Sequence, residues 1–322
     1  MSPAARYCFL PRLPRRVAPF PSEHLSSYLH RLGEANGLPG HELGNHVTNT
    51  GIAGRQAVHD LTGLPERTLV FALPELRTAD DVTTYPALRG SPAAVGAANS
   101  CPCCARRHGL TRAVHVWATH EQVLCQRHRV WTGGPVLTCT DRSPRIDITA
   151  LPDILRAHRH HHRLIARFGR EPVRRAFEDA SSIVHEWHNL LPWPFRPVHA
   201  RLEVLEPNPN RWYLTAAICR AAEYPIVVAL TTSLADTAWR NRVLTMESPG
   251  QQDAIGGLIE SVTDGAVPAG VFDSLLTPVH QASSRCPDST RRNGGLIRRC
   301  ATTNLDDSIL RPSNQVVASQ LR

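Results

Sequence analysis

Between Ser100 and Trp131 the chain reads SCPCCARRHGLTRAVHVWATHEQVLCQRHRVW, which holds four cysteines and four histidines with Glu121 as its one acidic residue. Cys101 and Cys104 form a CxxC pair, and after twenty residues Cys125 and His128 form a CxxH pair. A two-residue spacer lets both side chains of a tight turn reach one ion, thiolates at about 2.3 Å and imidazole nitrogen at about 2.0 Å. The spacing therefore predicts a zinc ribbon with Cys101, Cys104, Cys125 and His128 as ligands. Four protein ligands fill the tetrahedron around Zn2+ and leave no position for water, so the expected metal is structural rather than catalytic. Two alternatives stay open at this point: Cys103 replacing Cys104 through a CxC pair, and Cys139 of LTCTDR joining a relaxed site. A redox CxxC would need a strand-to-helix setting that this segment lacks. In the reducing, cytoplasmic compartment expected for this chain its nine cysteines should not pair as disulfides, so the clustering of four of them here points to metal or catalysis.

A second pattern of charged residues lies in LPDILRAHRHHHRLIARFG, read as a helix over 152–168. At 100° per residue, Arg159, His160, Arg163 and Arg167 fall within about 60° of Arg156, while Ile154, Leu155, Leu164, Ile165 and Phe168 take the other side. Such a stripe could lie along a phosphate backbone, so Arg156, Arg159, Arg163 and Arg167 are candidate nucleic-acid contacts; a merely solvated face is the alternative. The run His160, His161, His162 cannot converge on one ion, because consecutive helical positions point about 100° apart. His158 and His162 share a face at i, i+4 spacing and could bind metal weakly, but the favoured reading is that they are simply buried or partly exposed histidines. HEWH, His185 to His188, is one residue short of the HExxH of zinc peptidases.

Composition narrows the rest. Net charge is +8 and every one of the 36 basic residues is arginine, a uniformity that weakens basicity as a sign of a polyanionic partner. With no lysine in the chain, P-loop, kinase and Schiff-base chemistries are excluded. The proline-broken, basic N-terminus does not read as a signal peptide, and the longest apolar run, Pro225 to Leu230, falls short of the roughly 20 residues of a membrane span. No membrane partner is expected.

The elements that must position these residues read as mainly α. FPSEHLSSYLHRLGEANGL gives an amphipathic helix capped by Ser22, with Leu25, Tyr28, Leu29, Leu32 and Ala35 on one face and Gly37 at its end. Gln56–Leu61, a glycine turn and Pro65–Phe71 give a helix-turn-helix pattern. AVHVWA alternates as a ribbon strand, with Trp117 expected over the metal. Beyond it, Val173, Ala176, Phe177, Ala180, Val184, Trp187 and Leu191 form a helical stripe, and further helices are expected over Trp212–Ala222 and Pro225–Ala235. The predicted organisation is an N-terminal helix-turn-helix-like region over 1–95, a zinc ribbon over 96–145, a helical bundle over 146–280 and a disordered tail over 281–322, where Cys286 and Cys300 lack knuckle spacing.

PFPSEHLSSYLHRLGEANGL, LTGLPERTL and the CPCC…W…CQRH block together resemble TniQ proteins. Glu23, Leu25, Ser27, Tyr28, Leu29, Arg31 and Leu32 match that family's first helix, with His24 where serine is usual. Cys101, Pro102, Cys104, Trp117, Cys125 and His128 match its metal block. Members often carry a further CPxC, where this chain has only Cys139. The resemblance implies a non-enzymatic transposition accessory that helps select target DNA and recruits an AAA+ ATPase and a DDE transposase. A homodimer is compatible with this. The competing readings are a zinc-stabilised DNA-binding transcription regulator, and a zinc hydrolase or nuclease, which would need an open metal position.

Overall fold

The computed structural model describes residues 12–49, 54–88, 96–111, 114–134, 146–190, 195–207, 215–246, 248–263, 265, 279 and 282. These residues are mainly helical, with a small short-strand region between two groups of helices. The expected disordered tail, Cys139, Leu191, Trp212, Cys286 and Cys300 lie outside the described residues, apart from Ala282.

The first group comprises α1 (Leu25–Asn36), α2 (Gly40–Asn49), α3 (Gly54–Thr62), α4 (Glu66–Ala72) and α5 (Ala79–Thr84). Tyr28, Leu29 and Leu32 of α1 are buried against Leu43, Val47, Val58, Leu61, Leu69 and Leu73. Gly37 ends α1 with φ +71°, a conformation glycine adopts at no steric cost, and the next amide, Leu38 N–H, returns to the Gly33 carbonyl at 3.0 Å. The N-cap is His24, whose Nδ1 accepts from Ser26 N–H at 3.3 Å, and not the expected Ser22. Ser22 is drawn away because its carbonyl accepts from Trp117 N–H at 2.7 Å, in a bridge between residues 22–24 and a strand. The helix-turn-helix pattern is present as α3 and α4, joined through Gly63 at φ +61° with Pro65 capping α4.

Two small sheets follow. β1 (Gly96–Asn99) pairs antiparallel with β2 (His115–Ala118), Asn99 opposite His115, and residues 22–24 flank the other edge of β2. β3 (Leu124–Cys125), β4 (Val130–Trp131) and β5 (Ile146–Asp147) form a second sheet in that order. Between β1 and β2 lies α6 (Pro102–Arg107).

The second group of helices is α7 (Pro152–Phe168), α8 (Arg170–Leu190), α9 (Arg196–Leu205), α10 (Ala216–Ala235), α11 (Thr237–Thr245) and α12 (Ser248–Thr263). α10 is the hub, touching each of the other five. The predicted stripe on α8 is buried from Val173 to Trp187. A single apolar cluster contains Val123, Leu124, Trp131 and Ile146 of the second sheet region together with the cores of α7 to α12. The two sheets thus sort differently, one hydrogen-bonded to the entry of α1 and the other built into the large core.

α10 departs from the expected pair of segments, because it runs unbroken through Pro225. An interior proline costs about 3 kcal/mol, since it lacks an N–H and crowds the carbonyl four residues back. Against this, Ala221, Ala222, Tyr224, Ile226, Val227 and Val228 are all buried, and burial stabilises by about 1.5–3 kcal/mol for each larger apolar side chain. Burial wins. Arg201 of α9 also donates to the Ala222 carbonyl at 2.9 Å, beside the carbonyl that Pro225 leaves without its helical donor. By length and composition this 20-residue helix is long and apolar enough to cross a bilayer, although its longest uninterrupted apolar run, Pro225 to Leu230, is short. Here 56% of its most apolar window is buried, the situation of a central core helix.

Candidate metal centre

Each candidate ligand is placed by a separate local device. Cys101 precedes α6, where Pro102 occupies the first turn, and Cys104 follows within that turn. Cys125 ends β3, and the pairing of Cys125 with Val130 closes a turn over residues 126–129 that presents His128. Arg129 completes this turn at φ +48°, an uncommon conformation for a residue with a side chain.

His128 Nδ1 lies 3.5 Å from Cys101 Sγ, 3.4 Å from Cys104 Sγ and 3.5 Å from Cys125 Sγ, and the Cys104 and Cys125 sulfurs are 3.8 Å apart. A tetrahedron with legs of about 2.3 Å to sulfur and 2.0 Å to nitrogen has S···S edges of about 3.8 Å and S···N edges of about 3.5 Å. The observed spacings have these lengths. Hydrogen bonding alone does not account for them, since one imidazole nitrogen offers a single lone pair and cannot accept from three thiols at once. The four ligand atoms all fall within 4.8 Å of one another and could hold a metal ion. Burial pushes the Cys101 thiol up to about 12, against the amides of Cys104 and Cys103 that point at its sulfur. Cys104 is also raised, by burial and then by Cys125. Without a cation these two thiols stay neutral; a bound divalent ion would supply the charge that makes them thiolates.

Cys103 is outside the cluster. Its sulfur accepts from Arg106 Nη2 at 3.4 Å instead. Trp117 lines the same groove as Cys101, Cys104 and Cys125, with Phe20 and Leu124 nearby, and its ring stacks on His24 at 4.8 Å.

The ribbon is fastened to α1 through a carboxylate that the sequence showed only as part of a helix motif. Glu23 is fully buried and accepts from Phe20 N–H (2.8 Å), Ser27 Oγ (3.2 Å), Arg31 Nε (2.8 Å) and Arg31 Nη2 (2.6 Å). Ser27 Oγ in turn accepts from His115 N–H of β2 at 3.3 Å. A buried charge is tolerated only when paired and hydrogen-bonded, and Glu23 is both.

Residues 14–139 match the TniQ family model. That segment contains α1 with its Glu23–Arg31 latch, the α3–α4 pair and all four members of the Cys/His cluster. TniQ is a transposition-associated family whose members are generally non-catalytic accessories, and the match lies within residues 14–139 of this 322-residue chain. No curated protein and no solved structure matches the chain.

The structure gathers a second group of titratable side chains where the TniQ segment meets α7 and α10. His161 Nδ1 lies 3.0 Å from Tyr224 Oη, and its ring stacks on Phe177 and approaches His120 at 5.1 Å. His120 Nδ1 is 3.3 Å from Glu121 Oε2, whose other oxygen accepts from Arg170. His158 Nδ1 is 3.3 Å from Gln126 Nε2. His120, Glu121, His158 and His161 are all buried. Burial pushes His120 and His158 down to about 4 and His161 to about 2. Sequence reasoning gave His158, with His162, only a weak metal site and assigned His120, Glu121 and His161 no role, although a signal existed: His161 falls between Ile154 and Leu164 on the apolar face of α7.

Along α7, Arg156, Arg159, Arg163 and Arg167 are exposed. His160, expected to join them, is half-buried instead, 2.9 Å from Thr232 Oγ1 of α10.

Proposed function

We propose that this chain is a zinc-containing, DNA-associated adaptor that assists transposition by target-site selection, acting in the cytoplasm and recruiting an AAA+ ATPase and a DDE transposase. The observation that carries the reading is the occurrence of a four-ligand Cys/His cluster with tetrahedral edge lengths inside a segment matching TniQ. With Cys101, Cys104, Cys125 and His128 as ligands, the ion has no open position, and its role is structural. It contributes cross-linking rather than reaction chemistry.

What it cross-links follows from the two sheets. Cys101 and Cys104 come from the β1–β2 connection, which is fastened to α1, whereas Cys125 and His128 come from the sheet built into the large core. The ion therefore clamps the N-terminal helical group to the C-terminal one.

The test is capture of the metal-loaded full chain by the purified AAA+ ATPase and DDE transposase of the same element. Retention by either, lost in Cys125→Ser, supports the adaptor. Tight binding to one promoter sequence with no retention by either enzyme would instead establish a transcription regulator.

A further inference from the structure

Between β2 and β3 the chain reverses over Thr119–Gln122, where Gln122 N–H donates to the Thr119 carbonyl at 3.0 Å and Thr119 N–H donates to Gln122 Oε1 at 2.9 Å. Connecting turns usually lie at the surface, where solvent serves their polar groups. This one does not: Thr119, His120 and Glu121 are each no more than 3% exposed. His120 faces His161 of α7 and Phe177 of α8, with ring centres 5.1 Å and 6.1 Å away, and Glu121 is paired with Arg170 at the start of α8.

Thr119 Oγ1, His120 Nδ1, His120 Nε2, Glu121 Oε2 and, across the seam, His161 Nε2 are all buried and make no hydrogen bond to any described residue. His120 Nδ1 and Glu121 Oε2 are 3.3 Å apart, and the Thr119 hydroxyl also faces the carboxylate, but neither approach is aligned as a hydrogen bond. Native interiors leave few polar atoms in this condition, because each is costly, and five in one place call for an occupant. A cation does not suit them. Among the described residues only the Cys101, Cys104, Cys125 and His128 set gathers enough ligand atoms to hold one, and Arg170 already balances the charge of Glu121. Burial holds both imidazoles neutral, and a neutral imidazole carries one N–H donor and one bare acceptor, so the occupant must both donate and accept.

We propose that this seam is a binding site for one buried water molecule, shared by His120 Nε2 and His161 Nε2 and completed by Glu121 Oε2. Two hydrogen bonds of about 2.9 Å reach about 5.8 Å end to end, which exceeds the 5.1 Å between the two ring centres. Three contacts are also what a buried water typically makes to polar groups that the protein leaves unsatisfied. The water belongs to the joint between the two parts of the chain. Thr119, His120 and Glu121 come from the segment that matches TniQ, whereas Arg170, His161 and Tyr224 come from the helices beyond it. With the water in place, one hydrogen-bonded chain runs from Arg170 through Glu121, the water and His161 to the Tyr224 hydroxyl. The four metal ligands take no part in it.

The experiment is oxygen-17 magnetic relaxation dispersion on the zinc-loaded full chain, which counts the water molecules held too long to exchange with bulk solvent as the protein tumbles. His120→Phe and His161→Phe should each lower that count by one, and the double variant should also lower it by one, because the water is shared. Circular dichroism and zinc content report whether each variant folds. A high-resolution crystal of the unsubstituted zinc-loaded chain gives the answer without any substitution, as a density peak within hydrogen-bond distance of both Nε2 atoms. An unchanged count in the folded variants, a loss of two waters in the double variant, or a crystal without that peak overturns the shared water. So does a second equivalent of zinc that the same substitutions release. Retention by the ATPase is read separately, so failure here and failure of the adaptor reading are distinguishable.

Discussion

His128 meets three sulfurs within 3.5 Å, whereas His161 meets Phe177, Tyr224 and His120 and keeps Nε2 without a hydrogen-bond partner among the described residues. Both rings help fasten the short-strand region to helices, yet by opposite means. Around His128 the neighbours are potential anions that need a cation, and their convergence is the signal of a metal. Around His161 the neighbours are aromatic rings, the imidazole is held neutral by burial, and no set of ligand atoms gathers among the described residues. The comparison teaches that a histidine's chemistry is set by the charge its neighbours can carry and not by the local density of histidines. The run His160–His162, conspicuous as text, divides among three environments: half-buried, buried and exposed.

The comparison breaks most visibly at the thiols. Cys125→Ser should abolish stoichiometric zinc and strip amide-exchange protection from residues 114–131 while α8 and α10 stay protected, at a cost of several kcal/mol, bounded by the about 10–16 kcal/mol apparent for isolated zinc-finger peptides. Full zinc content measured by plasma emission in this variant would remove the assignment. His161→Ala should cost about 2–4 kcal/mol in urea unfolding, through lost ring packing and an orphaned Tyr224 hydroxyl, with zinc content unchanged. Loss of zinc there would mean that the two clusters are one system.

Acid sharpens the contrast further. The folded chain holds His120 and His158 neutral down to about 4 and His161 down to about 2, while in the unfolded chain each ring takes a proton near 6.5. Stability is thus complete above about pH 6.5 and is lost as pH falls through the window toward 4, by up to about 1.4 kcal/mol per pH unit for each ring. Glu121 opposes this at His120 and His158, and Arg170 and Arg174 reinforce it at His120. Protons also compete for the cysteine ligands. Urea midpoints at pH 7 and pH 5 with excess zinc separate the two, since zinc should restore only the ligand part; complete restoration would show the buried rings to be inert. The smallest effect is expected at a half-buried arginine paired with exposed carboxylates: Arg174→Gln should shift stability by under about 1 kcal/mol by thermal melting, with zinc unaffected.

Much of this was legible in the residues. CxxC and CxxH spacing is a local property, since each pair needs only its own turn, and so Cys101, Cys104, Cys125 and His128 could be named without knowing the fold. Cys103 could not be set aside from spacing; its exclusion needed the direction of α6, which turns the sulfur to Arg106. The helix over 152–168 and the helical stripe beginning at Val173 were visible in apolar periodicity. The continuity of α10 was hidden because Pro225 is a local break signal, overridden by burial on a scale that only the assembled core supplies. Ser22 was a reasonable cap by type but is committed to a long-range bridge with β2. Glu23 and Arg31 were recognised as a motif, while their office as an internal latch required the partner strand.

Trp131 lies edge-on to Tyr224 at 5.2 Å, and β4, which carries it, is paired on its far side by β5 at residues 146–147. The matched segment stops at residue 139, short of both. A fragment cut at that limit would keep every sulfur and imidazole of the ion's cage yet lose the covering of Trp131 and Leu124, leaving an oily, half-paired edge prone to self-association. Homology and mechanical independence part company here: the smallest piece that behaves in solution must reach through β5 and include the helices that Trp131 leans upon.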